Sequence, residues 1–546
     1  MKQIFFLVCI SFCLFGCESK PSEVVKTTVE PQPFVWEGAN VYFLLTDRFN
    51  NGNTANDLNF NRTKETGKLR GFMGGDMAGI TQKIKEGYFD DLGVNAIWFS
   101  PVLEQIHDST DEGTGNTYAF HGYWTKDWTQ FDPNFGTEAE FKELIETAHK
   151  RGIRILMDVV MNHTGPVTEI DPVWDNNWVR TEPNCQYKSY DTFISCTLVE
   201  NLPDILTNSE EAVSLPTPLA EKWKAEGRYE AEVKELDVFF EKSGLVKSPR
   251  NYIIKWLTDY VRKYGVDGYR VDTVKHVEEG AWADLNTQAQ IAFADWKKAN
   301  PDAVLDDSSF YVLGELYGYG IDGKRLYDFG DQKVDYFANG FDNLINFQFK
   351  HDAKKDYETI FSKYSKALQT DLKGKSIMNY VTSHDDATPF DKARTKTYES
   401  ATKLLLTPGI SQIYYGDETK RSLIIEGATT DATLRSFMNW DMLEDAETKA
   451  LLTHWQKLGQ FRKAHPAIGA GTHKMISASP YTFSRTYKTD KVVIGLDLPK
   501  GKKEINVGGQ FTDGISITDH YSGKSATVTN GKVIIDSEFS IVLLHL

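Results

Sequence analysis

The chain has 546 residues, of which 40% are hydrophobic, 13% aromatic and 25% charged, and its formal net charge is −16. This length allows two to four domains, or one large barrel with appendages, and a sizeable buried core. The acidic balance argues against a nucleic-acid or anionic-membrane surface, where a basic patch is expected, and favours a neutral or cationic partner.

The first residues have the features of an export signal. Lys2 supplies a positive start, and the almost wholly apolar run over 4–14 is too short to cross a bilayer as a helix. The run closes in Leu-Phe-Gly-Cys, ending at Cys17, which resembles a bacterial lipoprotein cleavage box. We therefore predict a signal peptide over 1–16, a membrane-anchoring lipid on Cys17 and a tether over 17–38, which places the protein in the periplasm or on the outer membrane or cell surface. Plain secretion and an uncleaved anchor are the alternatives.

A unit of helix, glycine and apolar strand recurs along the chain. Thr137 and Glu140 have the spacing of a capping box, and Gly152 ends that helix before an apolar strand. The recurrence is typical of parallel β/α units and predicts an α/β fold built on a (β/α)8 TIM barrel. The eight predicted strands are 40–46, 95–100, 153–159, 268–273, 311–316, 342–347, 376–383 and 410–415. An open doubly wound sheet is the alternative, but no Gly-x-Gly-x-x-Gly turn follows the first strand.

Two stretches depart from this repeat. The connection after the third strand holds Cys185, Cys196 and a charged, helical piece near 218–242, so it needs structure of its own. With the other three cysteines assigned to the signal and the anchor, these two form a disulfide or remain as unpaired thiols. After about residue 465, short β-type runs separated by turn signals predict an antiparallel sandwich. The predicted domains are the barrel over 39–162 and 246–465, an inserted domain over 163–245, and a C-terminal β-sandwich over 466–546.

Polar side chains collect where the predicted strands end, at the barrel face that carries chemistry in this architecture. They are Asp158, Asn162 and His163 after the third strand, Arg270 and Asp272 at the fourth, Glu315 at the fifth, and His384 and Asp385 at the seventh. A carboxylate two residues from an arginine stays ionised, which suits Asp272 as a nucleophile. A partly desolvated Glu315 has a raised pKa and can deliver a proton. A single Arg-x-Asp is more often a structural ion pair, but four converging elements favour the pair of carboxyl groups that retaining glycoside hydrolysis requires.

Six short motifs resemble those of the α-amylase family of glycoside hydrolases. They are DVVMNH at 158–163, GYRVDTVKH at 268–276, GELY at 314–317, SHD at 383–385, HGYW at 121–124 and LPD at 202–204. The resemblance covers roughly residues 38–465, and within the family the chain is most similar to bacterial periplasmic α-amylases.

The resemblance implies a role for each matching residue. Asp272 is then the nucleophile, Glu315 the acid and later the base, and Asp385 the residue that binds the 2- and 3-hydroxyls of the sugar. The implied substrate-binding residues are His121, Tyr123, His163, Arg270, Lys275 and His384. The implied activity is retaining endo-hydrolysis of α-1,4-glucosidic bonds in starch-like glucans and maltooligosaccharides by a monomer.

Calcium is the cofactor that the resemblance implies, since the matching ligands are hard oxygens. One site uses the Asn162 side chain, Asp204 and the backbone carbonyl of His276. A second site is suggested by NGNTAND at 51–57 and GGD at 74–76, although such a run is also typical of a flexible loop. Its implied ligands are Asn51, Asn53, Asn56, Asp57, Gly74 and Asp76.

Other functions share these residues. A neopullulanase, a cyclomaltodextrinase or an α-glucan transglycosylase uses the same catalytic groups and differs in the acceptor that reaches the intermediate. An inactive glucan-binding surface lipoprotein is the alternative from another class, and the presence of all three carboxylates argues against it. Ile205-Leu206 after LPD departs from the usual amylase pattern, and Ser383 makes chloride activation less expected.

The C-terminal sandwich itself has little support as a starch-binding module. Its aromatic residues Tyr481, Phe483 and Tyr487 occupy alternating positions, which favours packing against a core.

Overall fold

The computed structural model describes residues 33–546 and contains a closed barrel of eight parallel strands. The strands are β1 (Asn40–Leu44), β2 (Ala96–Phe99), β3 (Arg154–Val159), β4 (Gly268–Val271), β5 (Tyr311–Gly314), β6 (Asn343–Asn346), β7 (Ser376–Tyr380) and β8 (Ile410–Tyr414). Each strand pairs with its sequence neighbours, and β1 closes the barrel against β8. The predicted fold class is confirmed, and each predicted strand overlaps an observed one.

Helices cover the outside of the barrel, so every residue of β1 and β3 is buried, as parallel strands covered on both faces should be. The longer helices are α1 (Met77–Glu86), α2 (Glu138–Lys150), α3 (Thr217–Ala225), α4 (Tyr229–Ser243), α5 (Pro249–Tyr264), α6 (Glu279–Ala299), α7 (Tyr357–Gln369), α8 (Thr397–Leu406) and α9 (Ala446–Ala464). The capping box of Thr137 and Glu140 begins α2. Gly265 ends α5 with φ +75°, and a Cβ there would lie 2.1 Å from the Trp296 ring, so glycine is required directly before β4.

The loops between these strands and helices contain shorter helices and strands. The short helices are Thr46–Phe49, Tyr88–Asp91, Asp191–Ile194, Phe349–Asp352 and Ala467–Ala470, and the short strands are Leu103–Gln105, Thr110–Asp111, Asn116–Thr117, Thr125–Phe131, Val179–Arg180, Asp204–Ile205, Tyr327–Asp328 and Lys333–Val334.

The long connection after β3 has its own structure, as its length predicted. The charged piece near 218–242 forms α3 and α4, and Cys185 and Cys196 form the disulfide that was one of the two interpretations. The strand Asp204–Ile205 pairs with Val179–Arg180, and Asp204 also bridges to His163 just after β3. The inserted segment therefore returns to the edge of the barrel mouth.

The C-terminal region forms antiparallel sheets. Its strands are β9 (Thr472–Ala478), β10 (Tyr481–Tyr487), β11 (Asp490–Leu496), β12 (Gly501–Asn506), β13 (Ser516–Asp519), β14 (Lys524–Thr527), β15 (Lys532–Ser537) and β16 (Val542–His545). Six of them form one sheet in the order β9-β10-β11-β16-β13-β14, and β12 pairs with β15. Phe483 is fully buried, 5.2 Å from the Phe361 ring of α7, which agrees with a packing role for the alternating aromatics.

The predicted signal peptide, Cys17 and the tether as far as residue 32 lie outside the described residues. The last part of the predicted tether belongs to the fold. Trp36 stacks on Tyr311 at 4.1 Å, and Phe34 lies 3.4 Å from the Arg154 guanidinium, at the amino-terminal ends of β5 and β3. Over residues 33–546 no helix combines the length and the apolar character needed to cross a membrane.

Candidate active site

Arg270 lies at the centre of the carboxyl-terminal mouth of the barrel. Its Nη1 donates to Asp158 Oδ1 and to Asp272 Oδ1, at 2.8 Å each, and its Nη2 lies 3.3 Å from Glu315 Oε2. The guanidinium is fully buried, so these ion pairs are poorly screened by water. One cation therefore holds three carboxyl groups from three neighbouring strands together.

Asp158 supports this arginine from the barrel interior. Trp98 Nε1 donates to its Oδ2 at 2.8 Å, and the Tyr123 hydroxyl donates to the same oxygen at 2.9 Å. Burial raises the pKa of Asp158 to about 6, although Arg270 opposes the shift. With both oxygens engaged, Asp158 is a positioning group for Arg270, while Asp272 stands at the edge of the cleft.

Glu315 is buried beside these groups. Its Oε2 accepts the backbone N–H of Thr273 at 2.9 Å, and Thr273 takes a left-handed backbone (φ +48°, ψ +40°) directly after Asp272. Burial raises the pKa of Glu315 well above its usual value; Arg270 opposes this and Asp272 adds to it. A carboxyl that keeps its proton beside Asp272 can act as an acid.

Asp385 lies on the loop after β7, and its side chain remains 31% exposed. The backbone of this loop is fixed by Arg435, whose Nε donates to the His384 carbonyl at 3.0 Å. Burial raises the pKa of Asp385, with Arg435 and Arg270 opposing the shift. The third predicted carboxylate is therefore accessible from the cleft and within the field of the same two arginines.

Three aromatic side chains line one wall of the mouth. The Tyr123 ring stacks between His121 and His384, with ring centroids 5.8 and 5.4 Å away. His121 Nδ1 accepts the backbone N–H of Tyr123 at 3.0 Å, so the neutral ring carries its proton on Nε2. Burial, helped by Arg435, lowers the pKa of both histidines well below the usual value. Neutral histidines can donate to a sugar hydroxyl without adding charge to the site.

The disulfide-closed segment 185–196 contacts the residues that follow β4. The Phe193 carbonyl lies 3.0 Å from His276 Nδ1, and the Phe193 ring lies 5.3 Å from Lys275 Nζ. Lys275 Nζ also donates to the Tyr317 carbonyl at 3.2 Å and lies 5.0 Å from the Tyr317 ring. Burial lowers the pKa of Lys275 and brings that of His276 to about 4. The predicted Lys275 is thus held between two aromatic rings at the rim.

The implied calcium ligands Asn162, Asp204 and His276 converge between the barrel and the inserted segment. Asn162 Nδ2 lies 2.6 Å from Asp204 Oδ1 and 3.3 Å from the His276 carbonyl. Asp204 Oδ2 is buried without a hydrogen bond, although Arg180 Nε lies 2.8 Å away. Burial raises the pKa of Asp204 well above its usual value, which reflects an incompletely compensated carboxylate.

His163 gives a second indication at the same place. Its Nδ1 lies 3.2 Å from Asn162 Oδ1 and its Nε2 lies 3.1 Å from the Tyr123 carbonyl, yet a neutral imidazole has a single N–H. Rotating the Asn162 amide would satisfy both ring nitrogens, since amide orientation is assigned from the hydrogen bonds around it. It would also turn Oδ1 towards Asp204 and the His276 carbonyl, a set of three oxygens that a bound cation stabilises. The residues therefore fit a calcium ion.

The residues of the second implied site also lie together. Asn51 Nδ2 donates to Asp57 Oδ1 at 2.8 Å, and a Cβ on Gly74 would meet these two atoms at 2.4 and 2.8 Å. Asn51 Oδ1 and both amide atoms of Asn56 are buried without a hydrogen-bond partner. Unpaired buried amide oxygens fit a cation that prefers oxygen ligands.

Two ligands of this second set are already engaged in local structure. Asp76 caps α1 by accepting the Gly79 N–H at 2.6 Å, and the Asn53 side chain accepts the Ala55 N–H. In the part of the chain that the structure describes, no cluster of three or more His, Cys, Asp or Glu side chains could hold a metal. Both implied sites combine one or two carboxylates with amide and backbone oxygens.

Several residues of the site were not singled out from the sequence. Trp98 and Arg435 fix Asp158 and the loop of His384, while Phe193 and Tyr317 enclose Lys275. Trp98 lies inside the predicted strand 95–100, and its contact with Asp158 crosses to the neighbouring strand β3. The other contacts join segments far apart in the chain, which no local pattern reveals.

Comparison with known proteins gives a consistent result. The model of the alpha amylase catalytic domain family matches residues 43–446. The periplasmic alpha-amylase of Escherichia coli (strain K12) is 37% identical over an alignment of 523 residues, and the match covers 85% of this chain and 72% of that protein. A cyclomaltodextrin glucanotransferase of Geobacillus stearothermophilus is 26% identical, over 86% of this chain but 61% of its own length. The crystal structure of an alpha-amylase from Geobacillus thermoleovorans complexed with acarbose superposes with a TM-score of 0.65 at 19% identity, covering 94% of this chain and all of that one, which shows the shared fold.

Proposed function

The chain belongs to the α-amylase catalytic-domain family, and we propose on this premise that it hydrolyses internal α-1,4-glucosidic bonds of starch-like glucans and maltooligosaccharides with retention of configuration. The observation that carries the proposal is the set of ion pairs that Arg270 makes with Asp272 and Glu315 at the barrel mouth. Asp272 lies beside a carboxyl whose raised pKa lets it keep its proton, and retaining glycosidases use such a pair of carboxyl groups.

The reaction proceeds in two displacements. The Asp272 carboxylate attacks the anomeric carbon while the proton of Glu315 passes to the leaving glycosidic oxygen, which forms a covalent glucosyl-enzyme and a free sugar. The Glu315 carboxylate then takes a proton from water as the water oxygen attacks the same carbon and releases Asp272. Arg270 orients Asp272 for attack through the hydrogen bond to its Oδ1.

Other residues at the mouth of the barrel are proposed to bind the substrate. We assign sugar-hydroxyl contacts to Asp385, His121 and His384, and stacking of the sugar ring to Tyr123. We assign binding of the glucan beyond the cleaved bond to Lys275, and the position of its ammonium group beside Tyr317 supports this assignment. His163 also belongs to the proposed set, through a contact that requires its ring to release one of its two present partners.

Calcium is the proposed cofactor at both converging sets of oxygen atoms. Asn162, Asp204 and the His276 carbonyl would hold one ion, and the residues around Gly74 the other. Bound there, calcium would supply charge compensation that joins the inserted segment to the barrel beside Lys275. The chemistry of bond cleavage remains with the carboxylates.

We propose that the chain is exported from the cytoplasm. The signal-like residues 1–16 support it, and so does the name of the E. coli relative, a periplasmic alpha-amylase. A lipid on Cys17 and a location at the outer membrane or cell surface are the finer proposal, which depends on the cleavage-box resemblance alone.

Product analysis tests the proposed function. Purified protein in calcium-containing buffer should convert maltoheptaose into several shorter maltooligosaccharides from the earliest time points, as separated by anion-exchange chromatography. Cyclic products or chains longer than the substrate would instead indicate transglycosylation, the activity that the glucanotransferase relative carries in its name. If the protein cleaves none of maltoheptaose, cyclodextrin and pullulan, the alternative of an inactive glucan-binding protein would be favoured. The relatives, which are named as enzymes, do not support that alternative.

A further inference from the structure

A short hairpin in the connection from β5 to β6 reaches the inserted segment. Its strands, Tyr327–Asp328 and Lys333–Val334, pair antiparallel, and the Phe329 N–H donates to the Gln332 carbonyl at 2.9 Å. We call residues 327–334 the strap. Its tip contacts the disulfide-closed segment 185–196, which belongs to a different connection of the barrel.

The first of these contacts is made by Phe329. Its ring lies 5.1 Å from the rings of Tyr190 and Phe193, and 4.9 Å from that of Tyr327 within the strap. All three pairs are edge-to-face, at distances where aromatic pairs add to the gain from burial alone. Only 4% of Phe329 is exposed, so the strap and the disulfide-closed segment share one small aromatic cluster.

The second contact is made by Asp331. Its Oδ1 accepts the backbone N–H of Tyr190 at 2.9 Å. Tyr190 directly precedes the short helix Asp191–Ile194, which carries Phe193. Asp331 is itself exposed, so this link can be removed without opening a cavity in the fold.

The base of the strap contacts the residues around Lys275 as well. The Tyr327 hydroxyl donates to the Tyr317 carbonyl at 3.2 Å, and the same carbonyl accepts from Lys275 Nζ at 3.2 Å. The Phe193 ring lies 5.3 Å from that Nζ. The strap therefore contacts both residues whose rings enclose Lys275.

These residues lie on the side of the catalytic acid. Tyr317 follows Glu315 by two residues, and 49% of it is exposed. In the proposed reaction Glu315 protonates the leaving oxygen, so the sugar that leaves lies next to Glu315. An ammonium group and an exposed aromatic ring can bind the hydroxyls and the C–H face of that sugar.

We propose that the strap is a positioning element for the leaving-group side of the cleft. Phe329 and Asp331 hold Phe193 in place, and Tyr327 holds Tyr317, so that Lys275 is fixed for the sugar beyond the cleaved bond. Phe329 and Asp331 act through these other residues. The inference rests on the proposed function for its substrate, and it makes binding on this side dependent on a contact between two connections of the barrel.

The test compares two substrates with the full chain. Maltoheptaose places sugars on both sides of the cleaved bond, whereas α-maltosyl fluoride places only fluoride on the leaving-group side. Asp331→Ala should raise KM on maltoheptaose about fivefold with kcat nearly unchanged, and leave kcat/KM for fluoride release within about twofold. Asp331→Asn should restore the KM on maltoheptaose, because its amide oxygen can still accept the Tyr190 N–H.

A second variant tests the aromatic contact. Phe329→Ala should raise KM on maltoheptaose about tenfold and again spare fluoride release. Phe511→Ala is the matched control, because it removes a 5% exposed phenylalanine from the apolar cluster of the C-terminal sheets. It should lower the unfolding temperature comparably and leave KM on maltoheptaose unchanged.

The outcomes separate this role from the proposed hydrolysis. An unchanged KM on maltoheptaose in both Asp331→Ala and Phe329→Ala, or an equal loss on the two substrates, would overturn the positioning role. If the unsubstituted chain cleaves neither substrate, the proposed hydrolysis fails, and calorimetry of maltoheptaose binding decides on the strap. Asp331→Ala should then weaken the affinity several-fold, and an unchanged affinity would overturn the inference.

Discussion

Arg270 controls the charge at the mouth of the barrel. It contacts Asp158, Asp272 and Glu315, and it is itself completely buried. A buried cation shared by three carboxyl groups allows one of them to remain ionised while another keeps its proton. Burial raises the pKa of Glu315 well above its usual value, while Asp272 is held by its hydrogen bond to Arg270.

The first prediction concerns the nucleophile. Asp272→Asn should lower kcat/KM on maltoheptaose by on the order of 10⁴-fold or more, since no covalent intermediate can form. The unfolding temperature should stay close to that of the unsubstituted chain, because the amide can still accept from Arg270. Steady-state kinetics and a thermal melt check both parts, and appreciable turnover by a well-folded variant would remove Asp272 from its proposed role.

The second prediction concerns pH. Burial raises the pKa of Glu315, so the acid form persists above the usual carboxyl range, and kcat/KM should fall only as the pH rises through this raised value. Glu315→Gln should abolish cleavage of maltoheptaose but retain formation of the glucosyl-enzyme from maltosyl fluoride, whose leaving group needs no proton. The pH profile with the fluoride should then lack the alkaline limb. A limb that persists in this variant would assign it to another group.

The sequence predicted the catalytic carboxylates because strand-end position and motif identity coincide at Asp272, Glu315 and Asp385. It did not predict how Arg270 is supported, since Trp98 and Tyr123 reach Asp158 across strands and loops. These contacts are determined by barrel closure, which a linear pattern does not record.

At the scale of elements, the segment 185–196 links the inserted region to the cleft. The disulfide closes it, Asp191–Ile194 forms a short helix within it, and its Phe193 contacts both Lys275 and His276. The ring of Phe193 also packs 5.1 Å from Phe329, on the loop beyond β5. Two connections of the barrel thus meet over the proposed substrate-binding lysine.

The third prediction follows from this contact. Replacing Cys185 and Cys196 by serine should destabilise the chain by about 2–3 kcal/mol, as expected for opening a short loop. Because the loop positions Lys275 rather than the carboxylates, KM on maltoheptaose should rise several-fold while kcat changes little. Denaturant melts and steady-state kinetics measure the two effects. A fall in kcat with unchanged KM would contradict this role.

The fourth prediction concerns calcium. Chelation should lower the unfolding temperature by on the order of 5 °C, and added calcium should restore it, since an ion that binds only the folded chain stabilises it by mass action. Asp204→Asn should reduce this calcium-dependent shift, whereas Asp306→Asn, a change at an ion pair on the opposite face, should leave it intact. An unfolding temperature that is indifferent to calcium would exclude both sites.

Element prediction succeeded where the pattern was repeated. Helix, glycine and apolar strand recur in the barrel, and all eight strands were located, as was the helical character of 218–242. The pairing of Tyr327–Asp328 with Lys333–Val334 and the packing of Phe193 on Phe329 have no such signal. The first is a two-residue pairing too short to give a strand pattern, and the second joins segments more than a hundred residues apart.

At the scale of the whole molecule, the amino-terminal and carboxyl-terminal faces of the barrel differ in structure. The amino-terminal face is closed by Phe34 and Trp36, while the carboxyl-terminal face carries the carboxylates and the first turns of α7 and α8. The antiparallel C-terminal sheets pack on α7 through Phe483. The predicted domain boundaries are consistent with this arrangement but remain predictions.

The central claim is that Asp272 and Glu315 cleave α-1,4-glucan with retention. A proton NMR time course of maltoheptaose hydrolysis tests it most directly, because the α- and β-anomers of a new reducing end give separate signals before mutarotation mixes them. The account predicts that the α-anomer appears first and that the β-anomer grows in later at the rate of mutarotation. Initial release of the β-anomer would contradict it, since it would require direct attack by water without a glucosyl-enzyme.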